Sequence, residues 1–320
     1  MNVGIVGTGG MGNNHARQYR KMPGVSLGYF ERNHQRGDSF QSRWDGHLCH
    51  SMDELIEWSD LVDICLPTDL HLEFALKVIE AGKPLFLEKP VAISMEQGLQ
   101  IVEAAEKSNV PLMIGQVVRY FPEYALAHQM VKNGSVGKPA AIRMRRGGPT
   151  PKGSSSWFMD HHRSGGVLVD LAIHDFDWLR WTFGEVKCLY SRSIGSKTGQ
   201  GPDYALTTLT FKSGAVAHVE STWMDPSGFR TYFDVAGSEG SFEFDSRKTP
   251  ALKTANEHGI AVDPSVADLE DPYYLEISGF MDAVANGTPP PVSGREGLAA
   301  LQLSLAALES AQTGKVIYFD

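Results

Sequence analysis

The sequence predicts an α/β chain in two parts: a parallel sheet covered by helices on both faces, then an α+β region with a large, mostly antiparallel open sheet. Three observations carry this expectation. Short apolar runs alternate with helical patterns over residues 1–118, a glycine-rich turn follows the first of those runs, and strand-like segments come one after another beyond Pro122. At 320 residues the chain exceeds the roughly 250–300 at which one core stops growing. Two domains are therefore expected, one over residues 1–118 and one over residues 119–320.

In chain order, strands are predicted at residues 2–6, 25–30, 61–66, 84–88 and 112–117, with helices at 10–21, 70–81 and 95–107. These strands are near-continuous apolar runs, as burial on both faces of a parallel sheet requires. The second part offers strands at 140–146, 186–193, 205–211, 215–222, 231–236 and 241–244, parted by turn signals such as Lys212-Ser213-Gly214. Helices at 166–182, 274–285 and 295–312 are expected to cover one face of that sheet. The other face invites a second copy of the chain, so a homodimer or homotetramer through the C-terminal sheet is expected. The Gly-, Ser- and Pro-rich segment 147–156 is the long loop expected to move.

Composition limits the partners. A net charge of −9, from 38 acids against 29 bases, argues against nucleic acid and anionic membranes, which are held by clustered Lys and Arg. Arg143, Arg145 and Arg146 are a local exception that reads either as an anion site or as a salt-bridged sheet face. Apolar runs are too short to span a bilayer, Met1 leads directly into a strand, and Cys49, Cys65 and Cys188 lack CxxC spacing. A cytoplasmic protein without structural disulfides or a metal site is the expectation.

Gly7-Thr8-Gly9-Gly10-Met11-Gly12 matches GxGxxG through Gly7, Gly9 and Gly12, between the first strand and the first helix. In that position the first glycine permits a tight turn, the second admits a pyrophosphate, and the third lets helix and strand approach closely. The N–H groups at the start of the helix, around Gly10 and Met11, face the phosphates. The first domain thus reads as a Rossmann dinucleotide-binding domain. Glu31 closes the second strand, where a carboxylate accepts hydrogen bonds from the adenosine ribose and repels a 2′-phosphate, so NAD is favoured. Arg32 beside it keeps NADP open.

Glu88-Lys89-Pro90 ends another strand at its carboxyl edge, where ligands sit in open parallel sheets. Downstream, Asp170 and His174 lie four positions apart on the predicted helix and so share a face. A carboxylate beside an imidazole reads either as a structural hydrogen bond or as an acid/base pair, and histidine suits proton transfer near neutrality.

Taken together, these residues resemble the glucose-fructose oxidoreductase/inositol dehydrogenase (Gfo/Idh/MocA) family over nearly the whole chain. The resemblance rests on the glycine turn, Glu31-Arg32, Leu66-Pro67-Thr68-Asp69-Leu70-His71, Glu88-Lys89-Pro90, the segment from Gly115 through Arg119 to Pro122, and the Asp170/His174 helix. Gln116, Val117 and Glu31 depart from its usual pattern. It implies that Lys89, Asp170 and His174 carry the chemistry: His174 as acid/base, Asp170 holding it and a substrate hydroxyl, Lys89 binding the reacting oxygen. It also implies cofactor contacts from Leu66, Pro67, Thr68, His71, Glu88 and Arg119. For His71, a solvent-facing position at a helix start is the alternative.

Substrate groups are expected from Trp157, His161 and Arg163, polar and aromatic residues suited to a sugar ring, although Trp157 could equally anchor its loop. The expected reaction is hydride transfer between nicotinamide and a secondary hydroxyl of a sugar, cyclitol or related polyol. Two alternatives stand beside it: a redox-assisted glycoside hydrolase or lyase that retains its NAD, and an NAD-binding sensor without turnover.

Overall fold

The computed structural model describes residues 1–151, 157–195, 202–248, 252–256, 259–262 and 270–320. The segment expected to move therefore lies, from residue 152 to 156, outside the described residues.

The first sheet comprises β1 (Asn2–Val6), β2 (Ser26–Phe30), β3 (His47–Cys49), β4 (Leu61–Ile64), β5 (Leu85–Glu88) and β6 (Leu112–Gly115), all parallel, in the order β3-β2-β1-β4-β5-β6. This is the Rossmann order, in which the direction of winding reverses between β1 and β4 and opens a crevice at their carboxyl ends. Every residue of β4, β5 and β6 is buried, which accounts for their unbroken apolar character. Local chemistry sets the helix starts: Ser51, Ser94 and Asp271 each cap a helix by accepting a backbone N–H, from Glu54, Gln97 and Tyr273 respectively. Helices His34–Trp44 and Met52–Trp58 and the short strand β3 were not expected. The first is polar apart from Phe40 and Trp44, and the other two are too short to display a period.

The expected placing of residues 270–299 in the second domain needs correction. One compact unit contains Met1–Val117 together with Glu270–Ala299, and the rest of the described chain forms the other. Helix Pro272–Asn286, expected to cover the second sheet, instead packs on the first unit. Phe280 lies 6.0 Å from the ring of Phe86, while Asp271 accepts from Gln18 at 2.9 Å and pairs with Arg17 at 3.3 Å.

In the second unit nine strands among the described residues form one sheet: β7 (Pro139–Gly147), β8 (Val186–Gly195), β9 (Pro202–Phe211), β10 (Val216–Thr222), β11 (Arg230–Gly237), β12 (Gly240–Asp245), β13 (Leu252–Asn256), β14 (Gly259–Val262) and β15 (Ile317–Tyr318). Their order is β14-β13-β12-β11-β7-β10-β9-β8-β15, antiparallel throughout except for the parallel pair β7/β10. Inward side chains such as Ile142, Met144, Val219 and Phe233 form one core with Phe176, Trp178 and Leu179 of helix Ile173–Phe183 and with Leu303 and Ala307. The Trp178 indole N–H donates to Tyr124 O at 3.0 Å, so its polar atom is satisfied inside that core. The arginines of β7 divide between its faces. Arg143 pairs with Asp234 at 2.9 Å and Arg145 with Asp225 at 2.9 Å, while Arg146 turns inward to Asp175 at 2.7 Å. This is the salt-bridged sheet face rather than an anion site.

Candidate active site

In the first unit the turn after β1 is shaped by two steric demands. Gly7 has φ +97°, and a Cβ there would lie 2.8 Å from the Cys65 carbonyl oxygen; a Cβ on Gly12 would overlap the Gly7 carbonyl oxygen. Gly9 and Gly10, by contrast, have open space where a side chain would stand. The Asn13 amide donates to Thr8 O at 2.8 Å and Gly9 O at 2.9 Å and so holds the turn. Helix Gly10–Tyr19 has no side-chain cap and no acid in its first turn. Its positive end is therefore available to an anion. The residues present fit a dinucleotide pyrophosphate.

Glu31, at the end of β2, accepts from the Thr8 hydroxyl at 2.7 Å and from Asn33 N–H at 2.9 Å. Its carboxylate is thereby fixed beside the glycine turn. The Arg32 guanidinium lies 5.4 Å from the centre of the Phe74 ring.

At the carboxyl ends of β4 and β5 the structure gathers Leu66, Pro67, Thr68, His71, Glu88 and Lys89. His71 is fully buried, which removes the solvent-facing alternative. Its Nδ1 lies 2.8 Å from Pro90 O and its Nε2 3.0 Å from Leu66 O, so the ring ties the loop after β4 to the loop after β5. Burial pushes its pKa down, against the two carbonyls that raise it. The Lys89–Pro90 peptide is cis. Glu88 Oε2 accepts from the Lys89 backbone N–H at 3.1 Å.

The second unit holds Asp170 and His174, but not on one regular helix. Gly165 and Gly166, both at positive φ, lead into a π-helical turn, Val167–Leu171, closed by Ala172 N–H to Val167 O at 2.9 Å, and the α-helix runs from Ile173 to Phe183. A wide turn of this kind is rare and is often found at functional sites. Here it carries Asp170, 7 % exposed, with His174 just beyond it. The next two acids on the helix are structural. Asp175 receives Arg146, and Asp177 receives Arg119 through two bonds of 2.7 Å. The Arg119 guanidinium, expected to meet the cofactor, is thus buried against Asp177.

His161 packs against the entry to the π-turn, where a Cβ on Gly166 would lie 2.7 Å from its Nδ1. Its buried Nε2 has no hydrogen-bond partner among the described residues, and burial lowers its pKa against Asp203 and Asp160. Trp157 stacks on Phe158 with ring centres 4.1 Å apart, and Arg163 is half-buried. His161 is therefore brought up to the Asp170 segment, whereas Trp157 is engaged by its own neighbour.

Sequence reasoning passed over a buried group in the first unit. His15 lies 2.8 Å from Asp63 and 3.1 Å from Glu88. An acid in the middle of the run Leu61-Val62-Asp63-Ile64-Cys65-Leu66 was the available signal, because a charge inside a fully buried strand requires a partner.

A Rossmann unit with an open glycine turn, joined to an α+β unit carrying a carboxylate and an imidazole around a π-turn, defines a dinucleotide-dependent enzyme class. Residues 1–116 match the family described as "Oxidoreductase family, NAD-binding Rossmann fold", and residues 124–243 match the "GFO/IDH/MocA C-terminal domain". The chain belongs to the Gfo/Idh/MocA oxidoreductase family. It is 28% identical to a myo-inositol 2-dehydrogenase from Thermotoga maritima, covering 100% of this chain and 99% of the relative. Identity to a scyllo-inositol 2-dehydrogenase (NAD(+)) from Bacillus subtilis is 29%, over 82% of this chain and 78% of that one. The crystal structure of a probable dehydrogenase from Thermotoga maritima superimposes with a TM-score of 0.87 at 26% identity, covering 99% of this chain and 98% of the other. Among the described residues, no helix is long and apolar enough to cross a membrane.

Proposed function

We propose that this enzyme transfers a hydride between NAD and a secondary hydroxyl or ketone of a sugar, cyclitol or related polyol. The observation that carries the reading is the glycine turn, open at Gly9 and Gly10 and flanked by the fixed carboxylate of Glu31. Gly7, Gly9, Gly10, Met11 and Gly12 would hold the pyrophosphate and Glu31 the adenosine ribose, with Leu66, Pro67, Thr68 and Glu88 toward the nicotinamide half. NAD, when bound, supplies the hydride acceptor or donor. The protein supplies the rest: His174 takes the hydroxyl proton, Asp170 orients the imidazole and a neighbouring substrate hydroxyl, and Lys89 binds the reacting oxygen. His161 and Arg163 would add polar contacts to a polyol. The polyol-acting relatives support this substrate class.

The protein is placed in the cytoplasm in this reading, consistent with three unpaired cysteines. It would assemble as a homodimer or homotetramer through the outer face of the second sheet, where Ile194 and Leu206 are 61% and 45% exposed. Light scattering of the eluting protein tests that assembly; a monomer at micromolar concentration would refute it.

A panel of sugars and cyclitols with NAD, followed by absorbance of the reduced nicotinamide, tests the reaction. His174→Ala should lower kcat by about 10²- to 10⁴-fold with NAD affinity unchanged. Full turnover in that variant would remove His174 from the mechanism.

A further inference from the structure

We propose that His15 is a positioning residue: its ring, as an imidazolium, bridges Asp63 and Glu88 and holds the Glu88 carboxylate at the end of β5 for the cofactor. The inference rests on the reading above that Glu88 faces the nicotinamide half.

The ring is fully buried, and each nitrogen meets a different carboxylate. Nδ1 lies 2.8 Å from Asp63 Oδ2, and Nε2 lies 3.1 Å from Glu88 Oε1, close enough for an ion pair though outside hydrogen-bond alignment. Neutral imidazole has only one N–H. Were the ring neutral and donating to Asp63, the Nε2 lone pair would face an ionised Glu88 oxygen, and the two would repel. Two carboxylates on opposite nitrogens therefore require one more proton than a neutral ring carries.

Among the described residues, Cys65 and Asp63 at β4, Glu88 at β5 and Tyr273 on helix Pro272–Asn286 face the ring, with Tyr19 of the same helix and, beside Tyr19, Glu276 next to this group. Asp63 also accepts from the Tyr19 hydroxyl at 3.0 Å and the Cys65 thiol at 3.3 Å, so its position is settled from three sides. Burial opposes the charge on His15, but Cys65 and Asp63 outweigh it and hold the pKa well above its ordinary value. The other Glu88 oxygen accepts the Lys89 N–H, and Gly115 leaves room for the carboxylate, which would sit 3.4 Å from any Cβ there. The chain Asp63–His15–Glu88 thus runs from the middle of the sheet to the backbone of Lys89.

Two measurements on the full-length protein test this. Two-bond ¹H–¹⁵N correlation spectra, with His15 assigned by loss of its signals in His15→Gln, should show both ring nitrogens protonated at pH 7.5; a neutral ring overturns the proposal. NAD affinity, read by tryptophan fluorescence, should fall about 10-fold in His15→Gln and in Glu88→Gln, with the double variant no weaker than either single one. Multiplying effects in the double variant would make His15 independent of Glu88 and overturn it. Wild-type affinity should also weaken as pH rises through the His15 titration, while His15→Gln stays flat. If His15→Gln does not fold, Asp63→Asn keeps the ring and should give both the neutral spectrum and the weaker binding; wild-type affinity there sinks the idea. Failure of the parent reading looks different: a wild-type chain that binds no NAD removes the cofactor assignment and this inference's role for Glu88, even where the spectrum shows a charged His15.

Discussion

At the scale of single residues, the glycine turn is intolerant at two positions and permissive at two. Gly12→Ala should abolish measurable NAD binding and lower the melting temperature, because its Cβ overlaps the Gly7 carbonyl, while Gly10→Ala should fold normally. Calorimetric titration with NAD and a thermal melt distinguish these outcomes. Glu31→Ala removes an acceptor that is already held in place by Thr8 and Asn33. Its NAD affinity should drop by about 10- to 100-fold, the worth of hydrogen bonds to a charged group, and its preference for NAD over NADP should narrow. Both positions were legible in the sequence because spacing alone defines them. His15 and Asp63 were not, since their partnership spans 48 positions and exists only once β4 lies against the first helix.

Elements were legible where a period was long and clean, and obscure where tertiary contacts override it. The segment Val167-Leu168-Val169-Asp170-Leu171 reads as ordinary helix because apolar residues on every side satisfy any helical period. The π-turn instead follows the paired glycines Gly165 and Gly166, both at positive φ. Helix Pro272–Asn286 was recognised as a helix but assigned to the wrong unit, because its apolar stripe does not name its partner. The Arg119–Asp177 pair, 5% and 2% exposed, fastens the start of the second unit to helix Ile173–Phe183. Asp177→Asn would leave a buried guanidinium uncompensated and should cost about 3–5 kcal/mol of stability in a urea titration. A loss below ~1 kcal/mol would show that water reaches the pair.

Over the whole molecule, the buried acids and bases of the first unit give stability a direction with pH. Folding raises the pKa of His15, of the Tyr19 phenol and of the Cys65 thiol, the latter two chiefly through burial. The folded chain therefore keeps protons that the unfolded chain releases, on His15 from about pH 6.5 upward and on the thiol above its ordinary value of about 8.5. Their contribution is fully present below pH 6.5 and is lost as pH climbs, so the melting temperature should decline between pH 6.5 and 9, with a shallower decline in His15→Gln. A melting temperature constant over that interval would refute the charged ring. The second sheet has a consequence of its own. Its middle strand, β7, lies between β10 and β11, both of which follow it late in the chain, and the π-turn bearing Asp170 rests on β9 and β10. A ribosome accordingly delivers the Asp170 segment before the floor on which it stands, and a nascent chain halted short of Pro202 carries Asp170 and His174 without either of those strands.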